Sequence, residues 1–131
     1  MNISAAVSDF EINGKKNKKI KSNQELHLEL TPTTKIFENI KKIKKDIFLV
    51  GFKAEHNVPE KKLIGSAYDI LKKADADLVV ANDVGKSGRG FDVDTNEVFI
   101  VDKNKKVQHI KLAGKRIVAD RLIDAIVNKI K

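Results

Sequence analysis

The chain has 131 residues, 41% of them hydrophobic but only 5% aromatic, a net charge of +8 and no cysteine. That length suits one domain with one aliphatic α/β core, and the missing thiols exclude a disulfide framework, a cysteine nucleophile and a thiolate metal site. No apolar run approaches a membrane span and "MNISAAVSDF" does not read as a signal peptide, so a soluble, cytoplasmic protein is expected.

In chain order, "NISAAV" reads as a buried strand that begins almost at once, without a preceding turn. A polar loop follows, in which Lys15, Lys16, Lys18, Lys19 and Lys21 cluster. "ELHLEL" alternates Leu26, Leu28 and Leu30 with polar residues, the pattern of a half-buried strand. Thr31 as N-cap and Pro32 at the first helical position then predict a helix through "TPTTKIFENIKKIKK", with Ile36, Phe37, Ile40 and Ile43 on one face. Lys41, Lys42, Lys44 and Lys45 fall at its end, where lysines favour the helix dipole and read as a solvated terminus. Subtracting these nine lysines from +8 leaves −1, so two patches carry the basicity.

"IFLVGF" is an unbroken apolar run, as in a strand covered on both faces. "VPEKKLIGSAYDILKK" predicts a second helix, with Leu63, Ile64, Ala67, Ile70 and Leu71 inward, and "DLVVAND" returns to buried strand. "EVFIVD" and "KVQHIKL" read as a hairpin, and "KRIVADRLIDAIVNKIK" as a closing helix with Val118, Leu122, Ala125 and Ile126 inward. The order implies a Rossmann-like three-layer doubly wound α/β sheet, mostly parallel, with a C-terminal β-hairpin, and a single domain over residues 1–131.

"GKSGRG" at 85–90 tempts a phosphate-loop reading, but the position of the required upstream glycine is Val80, inside a strand. The segment after Gly90 alternates like a strand instead of opening a helix. A flexible surface loop is expected there. "DVDTNE" copies the start of a calcium loop, but Glu97 replaces its glycine and Lys103 its bidentate glutamate. His27, His56 and His109 lack ligand spacing and are read as structural or surface residues. What remains are strand ends, where ligands of open parallel sheets sit: small Ala5 and Ala6 before Asp9, Gly51 before the ring of Phe52, and the amide of Asn82.

Taken together and in order, "AAVSDF", "KKIKS" with "LHLELTPTTKIF", "FLVGFKAE", "DLVVANDV" and "GFDVDTNEVFIVD" resemble the C-terminal half of phosphopantothenate–cysteine ligase, the coenzyme A biosynthetic enzyme often fused to a decarboxylase that carries FMN. The resemblance spans nearly the whole chain, and it implies that an N-terminal half with a glycine-rich loop and a catalytic asparagine is absent. It implies ligation of 4′-phosphopantothenate to cysteine through an acyl-nucleotide, with CTP and Mg2+ as the expected nucleotide and ion, in a homodimer. It further implies a nucleotide and substrate site of Ala5, Ala6, Asp9, Lys19, Pro32, Thr33, Thr34, Phe52 and Asn82, with Lys19 catalytic. The family often carries two lysines on the helix before "DLVVAND", and the aligned positions here are Ile70 and Ala74. The isolated chain is expected to be inactive. The alternative is a non-catalytic basic α/β module that binds nucleotide or nucleic acid; one tyrosine, no tryptophan and no interleaving of lysine with aromatics argue against nucleic acid.

Overall fold

The computed structural model describes residues 8–13, 22, 25, 27–33 and 35–131. They fall into two compact units, residues 1–36 and 37–131. The opening run with Ala5 and Ala6, the lysine loop with Lys19, and Thr34 lie outside the described residues.

In the first unit, β1 (Phe10–Ile12) pairs antiparallel with β2 (Leu30–Pro32), Phe10 facing Pro32 and Ile12 facing Leu30. The strand expected over 25–30 thus starts at Leu30 and runs on to Pro32, which the sequence pattern assigned to a helix. Hydrogen bonding explains the shift. The Thr33 N–H donates to the Asp9 carbonyl (3.0 Å) and its hydroxyl to the Ser8 carbonyl (2.6 Å). Thr31, expected as the N-cap, is thereby held opposite Glu11 in the ribbon, and the helix opens only at Ile36. Leu28 and Leu30 are correspondingly exposed.

The second unit is a mixed four-stranded sheet in the order β3-β4-β5-β6. Its elements are α1 (Ile36–Ile43, from Phe37 onward), β3 (Val50–Glu55), α2 (Glu60–Ala74), β4 (Leu78–Asp83), β5 (Thr95–Asp102), β6 (Val107–Gly114) and α3 (Lys115–Ile130). β3 and β4 are parallel with α2 as crossover, and β5 and β6 form the expected hairpin, antiparallel to β4. Among the described strands of this sheet one pair is therefore parallel and two are antiparallel, so it is mixed and not mostly parallel.

Helices cover both faces. On one, Leu63, Ala67, Leu71 and Ala74 of α2 bury against Val79, Ala81, Phe99 and Val101, with Phe37 and Ile40 of α1 beside them. On the other, Val118, Leu122, Ala125 and Ile126 of α3 cover Leu78, Val80, Val98, Ile100 and Ile110. Residues of even and odd number on β4 thus serve opposite cores, as a pleated strand between two helical layers requires. Gly51 is where the α1 layer comes closest, because a Cβ there would enter the Phe37 ring. Two of the expected α1 positions, Ile36 and Ile43, are exposed instead.

Candidate functional site

Both parallel strands end on the same side of the sheet, with Glu55 facing Asp83. Asp83 is 3% exposed and is the organising residue there. One carboxylate oxygen accepts the N–H groups of Asn57 (2.8 Å) and Gly85 (2.9 Å), the other that of Val58 (2.9 Å). The loop before α2 and the loop after β4 are thereby clamped to one side chain. Burial pushes the carboxyl upward, but the donors on Asn57, Gly85 and Val58, helped by the Lys86 ammonium, outweigh it and hold Asp83 below the ordinary carboxylate range.

Above this clamp the "GKSGRG" segment is tied down, contrary to its reading as a flexible loop. The Thr95 hydroxyl donates to the Gly88 carbonyl (2.6 Å), and Arg89 pairs with Glu97. The Glu97 carboxylate also meets His109 Nε2 at 3.1 Å, and the His109 ring stacks on Phe99 with centroids 4.4 Å apart. Burial raises Glu97, yet Arg89 and His109 prevail and keep its pKa below the usual value. Gly88 and Gly90 adopt φ of +75° and +117°, which glycine tolerates. A cavity of about 30 Å³ lies beneath the loop, lined by Asp83, Lys86, Arg89 and Glu97. That is room for a water or two, not for a triphosphate. Turns and then β5 follow Gly90, so the loop does not open a helix as a strand–loop–helix phosphate loop must, and that reading is excluded structurally as well.

Asn82 and Phe52 lie on the open side of this end. Asn82, paired with Ala54 of β3, donates through Nδ2 to Asn96 Oδ1 (3.4 Å). Phe52, two positions earlier on the neighbouring strand, is 73% exposed. By strand alternation it shares a face with Val50, Val80 and Asn82, and α3, which packs on Val50 and Val80, leaves it uncovered. In the first unit, Asp9 and Thr33 are held together by their backbone bond, with Pro32 at the end of the ribbon. Ile70 and Ala74, where the resemblance leads one to look for lysines, pack into the α2 core, so neither position offers a phosphate contact.

The sequence reading passed over Asp83, Asn96 and Glu97 as site-forming residues. Asp83 had one legible signal, a carboxylate two residues after the unbroken apolar run Leu78–Ala81. Among the described residues no group of three or more His, Asp or Glu side chains is arranged to hold a metal ion. No helix among them is long and apolar enough to cross a membrane.

Comparison with known proteins decides the family. Residues 1–130 match the DNA/pantothenate metabolism flavoprotein C-terminal domain. The chain belongs to this family. The domain is 43% identical over 126 residues to the coenzyme A biosynthesis bifunctional protein CoaBC of Thermococcus kodakarensis, covering 95% of this chain and 30% of that protein. It is 35% identical over 128 residues to the protein of the same name from Methanocaldococcus jannaschii, covering 98% and 30%. The chain thus spans under a third of the length of these curated relatives. In three dimensions it resembles the DNA/pantothenate metabolism flavoprotein from Streptococcus pneumoniae, with a TM-score of 0.69 at 32% identity over 85% of this chain and 46% of the other. The C-terminal domain of a coenzyme A biosynthesis bifunctional protein CoaBC matches with a TM-score of 0.58 at 26% identity, over 76% and 43%.

Proposed function

We propose that this chain supplies part of the nucleotide and phosphopantothenate site of a phosphopantothenate–cysteine ligase that uses CTP. The observation that carries the reading is the family match over residues 1–130, supported by relatives whose name is that of a coenzyme A biosynthesis protein. The open carboxyl end of β3 and β4, with an exposed ring and an amide on one face, agrees with it.

In this reaction a carboxylate oxygen of 4′-phosphopantothenate attacks the α-phosphorus of CTP, the bond to the β-phosphate oxygen breaks, and pyrophosphate leaves. The cysteine amine then attacks the acyl carbon, the bond to the CMP oxygen breaks, and the amine loses a proton as the amide forms. Phe52 is assigned to flank the base, Asn82 to sit beside the nucleotide, and Ala5, Ala6 and Asp9 to line the junction of nucleotide and pantothenate. Pro32, Thr33 and Thr34 are assigned to contact the nucleotide. Lys19 supplies a positive charge where negative charge accumulates at the acyl-phosphate centre. Mg2+ enters with the triphosphate. The complete enzyme is assigned as a homodimer, with residues 1–131 the C-terminal portion of a ligase domain, fused to a decarboxylase whose FMN is no part of this site.

Pyrophosphate release by the complete ligase, given CTP, 4′-phosphopantothenate and cysteine, tests the assignment. Lys19→Gln is expected to lower product formation by roughly 100-fold or more with the melting temperature nearly unchanged. Lys16→Gln should be mild. Equal damage from both substitutions points to bulk charge, and turnover by the 131-residue chain alone overturns its role as a partial site.

A further inference from the structure

Asn82 is oriented by a neighbour outside the assigned site. Asn96, on β5, accepts two donors on the same Oδ1: the Glu97 backbone N–H at 2.9 Å and Asn82 Nδ2 at 3.4 Å. A backbone N–H can only donate, so it identifies that atom of Asn96 as oxygen. The Asn82 atom facing this oxygen must then be its nitrogen. This contact favours one orientation of the Asn82 amide, with its carbonyl oxygen turned away from β5. Asn96 is itself secured. Its neighbour Glu97 is gripped by Arg89 from the loop and by His109 from β6, at a point where the pairing of β5 and β6 is interrupted between Asn96 and Val98.

The surroundings give this orientation a use. A base stacked on the exposed Phe52 ring would turn one edge toward Asn82, since Phe52 pairs with Val80 and the next residue on that face, Ala54, pairs with Asn82. Aromatic stacking holds any base and selects none of them. Choice has to come from an edge contact. A carbonyl oxygen so turned accepts from an exocyclic amine and opposes an exocyclic oxygen, which would bring two acceptors together.

We propose that Asn96 is a positioning residue for base choice: by orienting the Asn82 amide, it makes the site select a base with an exocyclic amine, cytosine over uracil. The inference rests on the proposed CTP-dependent function and deepens it. Asn96 need not touch the nucleotide; it acts through Asn82. Without it, Asn82 rotates about its last bond and offers N–H or C=O with equal ease, so that uracil is accepted too.

The test measures kcat/KM of the complete ligase for CTP and UTP in the parent and in Asn96→Leu, Asn96→Ser and Asn96→Asp. Leucine offers no acceptor, and the shorter serine falls short of Asn82 with less risk to folding. Both should lower the CTP-to-UTP ratio by about tenfold or more, while the KM for 4′-phosphopantothenate stays put. Aspartate keeps an acceptor at the same place, so Asn96→Asp should retain the ratio to within about threefold. A ratio unchanged in Leu and Ser, or lost equally in Asp, overturns the proposal. So does a parent enzyme that makes product equally well from both nucleotides, an outcome that leaves the ligase function standing. A parent that turns over neither nucleotide sinks the ligase reading, and this inference with it.

Discussion

The two ends of the sheet both rest on buried or half-buried aspartates, but only one end brings a lysine into close contact with them. At the end where β4 begins and β5 finishes, each carboxylate combines a close lysine with backbone donors: Asp77 takes Lys41 at 2.6 Å along with the Leu49 N–H, and Asp102 takes Lys129 at 2.6 Å along with the N–H groups of Asn104 and Lys106. At the carboxyl end of β3 and β4, Asp83 is filled by three backbone N–H groups and its lysine stands off at 3.7 Å. The first arrangement ties helices α1 and α3 to the sheet through long side chains and leaves a cavity of about 200 Å³ lined in part by Asp102, Lys106 and Lys129. The second fixes loop backbone and leaves Asn82 and Phe52 facing outward. Lysine ties hold helices to the sheet, whereas an end braced through main chain keeps a rigid floor beneath Asn82 and Phe52.

The sharpest way to break this contrast is Asp83→Ala. It strands three N–H donors in a buried place, and the expected cost is about 3 kcal/mol, read as a fall in the urea midpoint. Because the two clamped loops lose their common anchor, CTP binding by the complete ligase should fall with it. If stability drops while affinity holds, the loops do not support the site. Gly85→Ala attacks the same clamp from the other side, since a Cβ there would lie 2.7 Å from the backbone nitrogen of Asn57. About 2 kcal/mol is expected, for lack of space.

At the lysine-tied end, Lys41→Met keeps the apolar stem and removes the charge. Asp77 retains the Leu49 N–H and the Lys103 ammonium at 3.5 Å, so the expected loss is smaller, about 1–2 kcal/mol, with no change in CTP affinity. Acid titration compares the two ends directly. Burial raises Asp77 and Asp102, but Lys41 with Leu49, and Lys129 with Lys106 and Asn104, bring both below the ordinary value, as the backbone donors do for Asp83. A folded pKa below the unfolded one contributes stability that is complete above the unfolded value, about 3.9 for aspartate, and is lost as pH falls through the folded value. Unfolding free energy should therefore be steady from neutrality to about pH 5 and decline below about pH 4. Asp102→Asn should flatten that decline; an unchanged acid limb means its ionisation does not support the fold.

Much of this architecture was legible because it follows from hydrophobic period. Leu63, Ala67 and Leu71 recur at helical spacing, and the run before Asn82 is apolar without interruption, so α2, β4, the hairpin and α3 are found where the pattern puts them. What the pattern missed depends on partners remote in sequence. Lys41 reads as one of four lysines at a solvated helix end, yet it is buried against Asp77. Asp83 looks like an ordinary junction residue until the loop at Asn57 returns to it. Thr31 and Pro32 carry a helix-start signal that pairing with Glu11 and Phe10 across the ribbon overrides. Local propensity is a weak prior where a backbone group finds a better acceptor across the fold. The family motifs brought Phe52 and Asn82 forward, but nothing in one sequence shows that Asn96 determines which way the Asn82 amide faces.

The smallest expected effect concerns Lys86, the residue that made the glycine loop look like a phosphate cradle. Its side chain is 43% exposed and 3.7 Å from Asp83, whose carboxylate is already filled by main-chain donors. Such a pair contributes about 0.5 kcal/mol or less, because solvent screens the lysine and its flexible stem must be ordered to keep the contact. Nor does the loop offer it a ligand, given the small cavity beneath and the absence of a helix N-terminus beyond Gly90. Lys86→Ala in the complete ligase should therefore change CTP affinity by less than about tenfold, or ~1.4 kcal/mol, whereas Asn82→Ala should exceed that. Calorimetric titration of CTP into the two variants decides between the ends of one short segment. If Lys86→Ala proves the more damaging, the nucleotide lies over the glycines, and the braced floor at Asp83 supports a phosphate chain instead of a base.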